Sequence, residues 1–258
     1  MNYPKKVQTN FTRKIMKVNN PIDRYHVKIN SNERVLDIGG GNHPLKRANV
    51  VVDKYEADNT HRGGDLKLYK HQRFVNADGN YLPFKEKEFD YINCCHVAEH
   101  VPDPSKFFDE ISRVGKRGYI EVPSLIGEFL APKASHIWVS LEVNNKLVMM
   151  KKSDLGIDTA QLDFGKLFLA HMSDHFLAYK ILIRQHPDLF TVRQQWKDTI
   201  DYQISPTDQE TLNLFKKPWP EEIIKERFKA KGKFSDTVNV WATFIKLLSG
   251  KISRSLTK

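Results

Sequence analysis

The sequence predicts an α/β fold: an open, twisted and mostly parallel sheet with helices on both faces, plus a C-terminal region of mixed α/β additions. Three observations predict it. Five short apolar runs follow one another between Glu33 and Ser124. Glycine or polar residues follow each run, as they follow buried parallel strands. A helical pattern separates the fourth run from the fifth, which is the strand–helix–strand order of an open α/β sheet.

The helical pattern lies between the last two of these runs, which in chain order are RVLDIG, NVVVDKY, RFVNAD, FDYINCC and RGYIEVPS. Asp103 is a candidate N-cap, Pro104 suits the first helical position, and Gly115 or Gly118 can end the helix. Four apolar residues then share one face of the predicted helix: Phe107, Phe108, Ile111 and Val114.

The chain beyond Ser124 is less regular. A hairpin is predicted to turn at Asn144-Asn145, because asparagine tolerates positive φ. A helix is predicted for DFGKLFLAHMSDHFLAYKILIRQ and a strand for LFTVRQQWKDTIDYQIS. From the sequence alone, these segments could complete the sheet or form a lobe beside it.

The composition is typical of a globular chain. Its 258 residues are 40% hydrophobic and 28% charged. No apolar run approaches the roughly 20 residues that span a bilayer, and the N-terminus lacks the apolar segment of a secretory signal. The two cysteines, Cys94 and Cys95, are adjacent and cannot form a disulfide framework, so a reducing, cytoplasmic location is expected.

Positive charge is concentrated near the C-terminus. Residues 216–258 contain eleven Lys or Arg and four Asp or Glu, so +7 of the formal net charge of +10 lies there. Such a segment can attract nucleic acid, an anionic membrane surface or an anionic substrate, or it can be a solvated surface. Its last part, TVNVWATFIKLLSGKISRSL, fits a membrane-surface helix and a final sheet strand equally well.

The first apolar run ends in a glycine turn that is preceded by Asp37, in the stretch VLDIGGGN. Glycine lets the backbone turn sharply and approach a ligand, and ligands of open α/β sheets bind beyond the carboxyl ends of the strands. The dinucleotide fingerprint G-x-G-x-x-G fails, because Pro44 stands at its third glycine position, which disfavours a nicotinamide oxidoreductase. A helix starting near Pro44 could still direct its amides at a ligand.

VLDIGGGN resembles the first motif of the class I S-adenosylmethionine-dependent methyltransferases, which have a Rossmann-like sheet, although His43 stands where a third glycine often occurs. The segments NADGNYLPF, FDYINCCHVAEHVPDP and YIEVPS resemble the methyltransferase type 11 family. The resemblance covers about Glu33 to Ser124 and implies S-adenosyl-L-methionine as the cofactor. The turn would lie against the methionine end of the cofactor, whose ammonium group favours a carboxylate nearby, directly or through the turn.

The resemblance also implies roles for individual residues. Asp53 would accept hydrogen bonds from the two ribose hydroxyls, and Asp78 would contact the adenine amino group. The predicted cofactor-binding residues are Asp37, Gly39, Gly40, Gly41, Asp53, Lys54, Ala77, Asp78, Gly79 and Cys95.

Candidate catalytic residues follow the fourth run, where His96, Glu99 and His100 would face the reactive end of the cofactor. Histidine titrates near neutrality and can take a proton from an acceptor. The alternative is that these side chains hold the loop and pack against the cofactor. The predicted substrate-side residues are His136, His171 and His175. His171 and His175 are four residues apart, but they do not form an H-E-x-x-H pattern and no third ligand accompanies them. No metal is therefore predicted.

These patterns predict a methyltransferase that acts on a small-molecule, glycan or lipid-linked acceptor. The alternatives are an RNA methyltransferase, disfavoured because no recognised nucleic-acid-reading motif accompanies the charge, and a non-catalytic module that retains the fold. If the basic tail is a surface helix, peripheral contact with the inner face of a membrane is expected. One structural domain is predicted, with a cap segment (residues 1–32), a cofactor-binding core (33–125), and sheet completion, substrate-side additions and the tail (126–258).

Overall fold

The strands form where the apolar runs predict them. The computed structural model describes residues 23–59, 64–156, 164–172, 176–228 and 232–255. Its strands are β1 (Val35–Ile38), β2 (Val50–Asp53), β3 (Arg73–Asn76), β4 (Tyr91–Cys95), β5 (Arg117–Pro123), β6 (Trp138–Val143), β7 (Lys146–Lys151), β8 (Thr191–Lys197) and β9 (Tyr202–Ile204). Its α helices are α1 (Pro104–Val114), α2 (Leu125–Leu130), α3 (Lys152–Leu155), α4 (Phe164–His171), α5 (Leu177–Gln185), α6 (Pro187–Phe190), α7 (Gln209–Lys216), α8 (Glu221–Arg227) and α9 (Lys233–Ser255).

Six strands form one sheet in the order β3-β2-β1-β4-β5-β8. Neighbouring strands are parallel except for β5 and β8, which run antiparallel. This confirms the predicted mostly parallel α/β sheet. The chain moves outward from β1 on one side of the sheet and outward from β4 on the other, so the strand order reverses between β1 and β4. A crevice opens beyond the carboxyl ends of the strands at such a point.

The two faces of this sheet are covered differently. On one face, α1 packs against alternate strand residues such as Leu36 and Ile92. On the other face, Val51 lies in an apolar cluster that is closed by loop residues such as Leu45. Within the described residues this second cluster contains no helical residue, and residues 44–49 form turns, so no helix starts at Pro44.

Helix α1 begins and ends where the sequence predicts. The Asp103 carboxylate accepts a hydrogen bond from the Lys106 amide at 3.1 Å, which satisfies one of the unpaired amides of the first turn. Pro104 occupies the first helical position, where it needs no hydrogen-bond donor, and Gly115 caps the C-terminus. The four apolar residues of its predicted face are fully buried.

The region beyond β5 both completes the main sheet and forms a separate unit beside it, the two arrangements that its sequence allows. Strand β8 completes the main sheet, whereas β6, β7 and β9 form a second sheet. The β6–β7 hairpin turns at Asn144 and Asn145, whose φ values of 51° and 64° suit a two-residue type I′ turn. Trp138 and Met149 of the second sheet are buried in the same apolar cluster as α1, so the two sheets share a core.

The C-terminal segments are helical. The segment predicted as one helix forms two, α4 and α5, and residues 173–175 between them lie outside the described residues. The tail is the helix α9 and not a strand. The Gln185 side-chain amide of α5 donates hydrogen bonds to Asn239 O at 3.0 Å and Thr243 Oγ1 at 2.6 Å, which fixes the side of α9 that faces α5. In the described ranges, no helix combines the length and the hydropathy that crossing a membrane requires.

We expect Ile111→Ala to lower the free energy of unfolding by about 2–5 kcal/mol, because the truncated side chain would leave a cavity between α1 and the sheet. Chemical denaturation measures this change. Asp109→Ala, on the exposed side of the same helix, is the matched control, and it should cost about 1 kcal/mol because it loses a hydrogen bond from the Tyr202 hydroxyl. Equal losses in the two variants would contradict the packing of α1 on the sheet.

Candidate functional site

The floor of the site is the glycine turn after β1. Gly39 and Gly41 have φ values of 68° and 52°, in the left-handed region that residues with a Cβ rarely adopt. A Cβ at Gly39 would also lie 2.2 Å from Cγ2 of Val97, in the loop after β4. The Gly39 amide donates a hydrogen bond to Val52 O at 2.8 Å, which fastens the turn to β2. Glycine is therefore required for the close approach of these three segments.

Asp37 holds the turn from behind. Its buried carboxylate accepts hydrogen bonds from the Leu45 amide and from Asn93 Nδ2, each at 2.6 Å. Burial raises the pKa of Asp37, against the opposing effects of the Arg24 charge and of the two hydrogen bonds. A Cβ at Gly40 would lie 2.7 Å from the carboxylate. Asp37 thus shapes the turn and does not line the site.

A cleft opens over this turn, where the strand order of the sheet reverses. It encloses about 870 Å³ of space, part of which is open solvent at its mouth. Its walls are the carboxyl ends of β1 and β2, the loops after β2, β3 and β4, and the start of α1. Seven of the predicted cofactor-binding residues line it: Gly39, Gly41, Asp53, Lys54, Ala77, Asp78 and Gly79.

Two carboxylates stand on the β2–β3 side of the cleft. Asp53 accepts a hydrogen bond from the Tyr55 amide at 3.0 Å. Asp78 forms an ion pair with Lys54 at 2.9 Å and accepts a hydrogen bond from the Asn80 amide, also at 2.9 Å. Burial would raise the pKa of Asp78, but the ion pair and the hydrogen bonds hold it below its usual value. At neutral pH, the Asp78 carboxylate is therefore ionised and can only accept hydrogen bonds.

An apolar wall continues from these carboxylates to α1. It contains Ile38 and Val52 at the strand ends, Ala77 after β3, and Phe107 of α1. A Cβ at Gly79 would lie 2.3 Å from Cε2 of Phe107, so the backbone after β3 packs directly on this ring.

His96 begins the loop on the opposite side of the cleft, with a φ of 58°. Its imidazole lies 3.3 Å from Oε1 of Glu121 and 3.4 Å from Oε1 of Glu99. Burial opposes the charge of this ring, but the two carboxylates outweigh burial and raise the pKa of His96 to about 10. His96 is therefore an imidazolium at neutral pH. A protonated ring cannot take a further proton, so the general-base role of His96 stays a prediction that requires the ring to lose its proton first.

Glu99 lies behind His96, completely buried among three histidines. Its Oε1 is 3.9 Å from Nε2 of His100 and 3.8 Å from Nε2 of His136. Burial would raise the pKa of Glu99, but the His96 imidazolium, 3.4 Å away, lowers it below its usual value. Ligand atoms of Glu99, His100 and His136 all lie within 4.8 Å of one another, which is close enough for them to share a metal ion. The sequence pattern predicted no metal.

Six predicted site residues do not line the cleft: Asp37, Gly40, Cys95, Glu99, His136 and His171. Cys95 donates from Sγ to Asn93 Oδ1 at 3.5 Å, on the Asp37 side of the sheet. His136 is buried behind the cleft wall, and His171 is exposed at the end of α4. His175 lies outside the described residues.

Two glutamates of this network were not among the predicted site residues. Glu121 of β5 contacts His96 and accepts a hydrogen bond from the Tyr119 hydroxyl at 2.5 Å. A charged residue inside an apolar strand is rare unless it is paired, and this signal could have found it. Glu128 of α2 accepts hydrogen bonds from Nδ1 of His136 and from Nζ of Lys152 at 2.5 and 2.6 Å, and no sequence motif marks it.

The cleft residues fit the cofactor that the resemblance implies. The two carboxylates suit hydroxyl and amino donors, and the apolar wall suits a nucleobase. The backbone packs directly on Val97 at Gly39 and on the Phe107 ring at Gly79, where a Cβ cannot be placed, so these walls of the cleft are closely packed. Among the lining residues that the structure describes, Lys54 is the one Lys or Arg, and its ammonium is paired with Asp78. This donor set is unlike that of a pyrophosphate site.

The chain resembles known methyltransferases over the same strands. The type 11 family model, described as a methyltransferase domain, matches residues 48–120. An uncharacterised methyltransferase of Mycobacterium sp. (strain JLS) is 32% identical over 106 residues, which cover 40% of this chain and 42% of that protein. Another, from Mycobacterium leprae (strain TN), is 34% identical over 96 residues, 35% of this chain and 36% of that protein. The chain thus spans about two fifths of the length of the curated relatives it matches.

Among solved structures, the YcgJ protein from Bacillus subtilis is similar over 42% of this chain and 56% of that chain, with 22% sequence identity and a TM-score of 0.32. The fold assignment follows from the strand order of the sheet and not from this likeness. The segment that matches the family model contains the carboxyl ends of β2, β3 and β4. The part of the chain that builds most of the cleft therefore matches the methyltransferase domain of the type 11 family.

Proposed function

We propose that this chain transfers a methyl group from S-adenosylmethionine to a small-molecule, glycan or lipid-linked acceptor. The observation that carries the proposal is the convergence of four strand ends on one cleft. These ends contribute the glycine turn after β1, Asp53 after β2, Asp78 after β3 and the His96 loop after β4. The family match, which covers the ends of β2, β3 and β4, supports the proposal.

The chemistry that S-adenosylmethionine supplies, when bound, is an electrophilic methyl group on a positively charged sulfur. Asp53 would accept hydrogen bonds from the ribose hydroxyls, and Asp78 from the adenine amino group, because ionised carboxylates are pure acceptors. Val52, Ala77 and Phe107 would exclude water from the base.

The loop after β4 would form the acceptor side of the cleft. His100, Val101 and Pro102 line this end, and the Trp138 Nε1–H donates to Val101 O at 2.8 Å. That hydrogen bond ties the loop to β6, so the acceptor would meet a fixed wall. Holding two reactants in line can lower a reaction barrier by roughly 7–11 kcal/mol, so positioning by this wall would supply much of the catalysis.

We also propose that α9 docks on an anionic membrane surface, which would favour lipid-linked acceptors. Five apolar side chains of α9 are at least 39% exposed, at alternating four- and three-residue spacings: Phe234, Val238, Trp241, Ile245 and Leu248. The side of α9 that faces α5 carries Asn239 and Thr243, so this stripe points elsewhere. The charge of +7 in residues 216–258 complements anionic lipid headgroups.

We expect Asp53→Ala to weaken the binding of S-adenosylhomocysteine by roughly 10- to 100-fold, because a hydrogen bond to a charged group contributes about 1.5–3 kcal/mol. Isothermal titration calorimetry measures the affinity. Asp65→Ala, at an exposed aspartate outside the cleft lining, removes the same charge and should leave the affinity unchanged.

Two results would contradict these assignments. Wild-type affinity in Asp53→Ala would remove Asp53 from the ribose role, and a wild-type chain that binds neither S-adenosylhomocysteine nor S-adenosylmethionine would refute the proposed function. Transfer of a labelled methyl group to panels of small molecules, glycans, lipids and RNA then tests the acceptor class. Transfer to RNA alone would favour an RNA methyltransferase, and cofactor binding without any transfer would favour a non-catalytic module.

We expect Ile245→Glu to abolish most co-sedimentation with vesicles of phosphatidylglycerol and phosphatidylcholine, because a charge would lie in the middle of the apolar stripe. Ala242→Glu adds the same charge at an exposed position beside the stripe and should keep most of the binding. Equal loss in both variants would show that charge alone drives the binding. A wild-type chain that sediments without vesicles, as a self-associated species, would show that the stripe docks on a second copy.

A further inference from the structure

Three donor side chains converge behind the cleft wall, on segments that are far apart in sequence. Glu99 and His100 lie in the 3-10 turn after β4, and His136 lies just before β6. Nε2 of each histidine points at the same oxygen, Oε1 of Glu99, at 3.9 and 3.8 Å. These distances are too long for hydrogen bonds and suit an ion between the three groups.

Nδ1 of each histidine, the ring nitrogen away from Glu99, already contacts an oxygen atom. Nδ1 of His100 lies 3.0 Å from Ser135 O, which can only accept, so Nδ1 carries the proton. Nδ1 of His136 lies 2.5 Å from Oε2 of Glu128, a carboxylate that is itself paired with Lys152. In the neutral rings, both Nε2 lone pairs therefore face Glu99. This arrangement is the one found around metal ions, where a carboxylate or carbonyl orients the outer nitrogen of a ligating histidine.

Glu99 supplies a second, independent observation. Its side chain is 0% exposed, and neither carboxylate oxygen has a hydrogen-bond partner of good geometry among the described residues. The nearest group is the His96 imidazolium, whose Nδ1 is 3.4 Å away and which also contacts Glu121. A buried carboxylate is costly unless it is paired or binds a metal. The pairing present leaves room for a cation on the His100–His136 side.

We propose that Glu99, His100 and His136 bind one divalent first-row transition-metal ion. Two imidazoles and one carboxylate form a donor set that suits zinc, iron or cobalt better than magnesium, which prefers oxygen ligands. Metal–ligand bonds of about 2.0–2.2 Å place ligand atoms roughly 3–3.5 Å apart. The ligand atoms are now 3.8 and 3.9 Å apart from Glu99 to each histidine and within 4.8 Å overall, so binding requires them to move closer by several tenths of an ångström to more than one ångström.

The backbone around the site holds the two segments together. The Ile137 amide donates to Glu99 O at 2.8 Å, in addition to the contacts of His100 with Ser135 and of Trp138 with Val101. The ligands are therefore positioned by a rigid contact between the β4 loop and β6, as a preformed metal site requires.

Of the three ligands, His100 lines the cleft, so a ligand in the cleft would reach the ion from the His100 side. On the proposed function, the ion would hold an oxygen atom of the acceptor, and an acceptor hydroxyl on the ion would lose its proton more readily. The methyl group would then pass to that oxygen: the carbon–sulfur bond breaks, a carbon–oxygen bond forms, and the proton leaves to solvent. This assigns the acceptor to oxygen-bearing compounds such as alcohols, phenols or carboxylates.

The test is metal binding by the full chain after dialysis against a chelator. Calorimetry and elemental analysis with Co²⁺, Zn²⁺ and Mg²⁺ should show that each chain binds one Co²⁺ or Zn²⁺ ion. The affinity for Mg²⁺ should be at least tenfold weaker. We expect Glu99→Gln, which keeps the side-chain shape, and His136→Ala each to weaken Co²⁺ binding by 10- to 100-fold or more. His71→Ala, at an exposed histidine outside the cleft, is the matched control and should bind as the wild type does.

Far-ultraviolet circular dichroism and thermal unfolding establish that each variant is folded. If His136→Ala does not fold, the Co²⁺ affinity of Glu99→Gln alone tests the proposal. Wild-type Co²⁺ affinity in a folded Glu99→Gln variant, or the absence of Co²⁺ and Zn²⁺ binding at millimolar concentration in the wild type, would overturn the proposal.

Two further measurements separate the metal site from methyl transfer. S-adenosylhomocysteine binding is measured in the metal-free chain. If S-adenosylhomocysteine does not bind, the proposed function is refuted, but the result on metal binding is unaffected. The visible absorption of the Co²⁺-loaded chain should change on addition of azide, a small anionic ligand, if coordination positions open toward the cleft. An unchanged spectrum would overturn the role assigned to the ion in holding the acceptor.

Discussion

The buried carboxylate of Asp37 is the interaction on which the site depends. It sits inside a parallel strand and accepts hydrogen bonds from the loop at Leu45 and from Asn93 on the neighbouring strand. A buried carboxylate that accepts two hydrogen bonds is strongly held in place, because losing either bond would leave a charge or a polar atom unsatisfied. Through these bonds, Asp37 fixes the turn at Gly39 to Gly41 against both β1 and β4. The cleft has a floor of constant shape because this turn cannot move independently.

The placement of Asp37 also explains why β1 and β2 are joined by turns without a helix. Leu45 and Ala48 of this connection take the place of a helix and cover the sheet face that contains Val51. The connection is drawn inward at Leu45 by the carboxylate, so its apolar residues reach the sheet. One polar contact thus shapes the loop and helps to close the core beneath it.

The two sides of the cleft carry different charged groups. On the β2–β3 side, Asp53 and Asp78 present hydrogen-bond acceptors, and Asp78 forms an ion pair with the Lys54 ammonium. On the β4 side, the buried Glu99 and the largely buried Glu121 hold the half-exposed His96 imidazolium. The parallel sheet makes this division possible, because it brings the carboxyl ends of all these strands to one edge. On the proposed function, the cofactor and the acceptor would therefore contact different side chains on neighbouring sides of one cleft.

The sequence by itself determined the features that local patterns encode. The apolar runs set β1 to β5, the Asp103-Pro104 signal set the start of α1, and Asn144-Asn145 set the hairpin, since each depends on residues close together in the chain. The order of glycine and acidic residues likewise set the β2–β3 side of the cleft. Only the tertiary structure decided what depends on packing between distant segments. The tail is a helix whose packing on α5 includes the hydrogen bonds from Gln185 to Asn239 and Thr243, 54 and 58 residues away. Glu99 and His136 form one cluster because β6 crosses the loop after β4, a contact that no local spacing records.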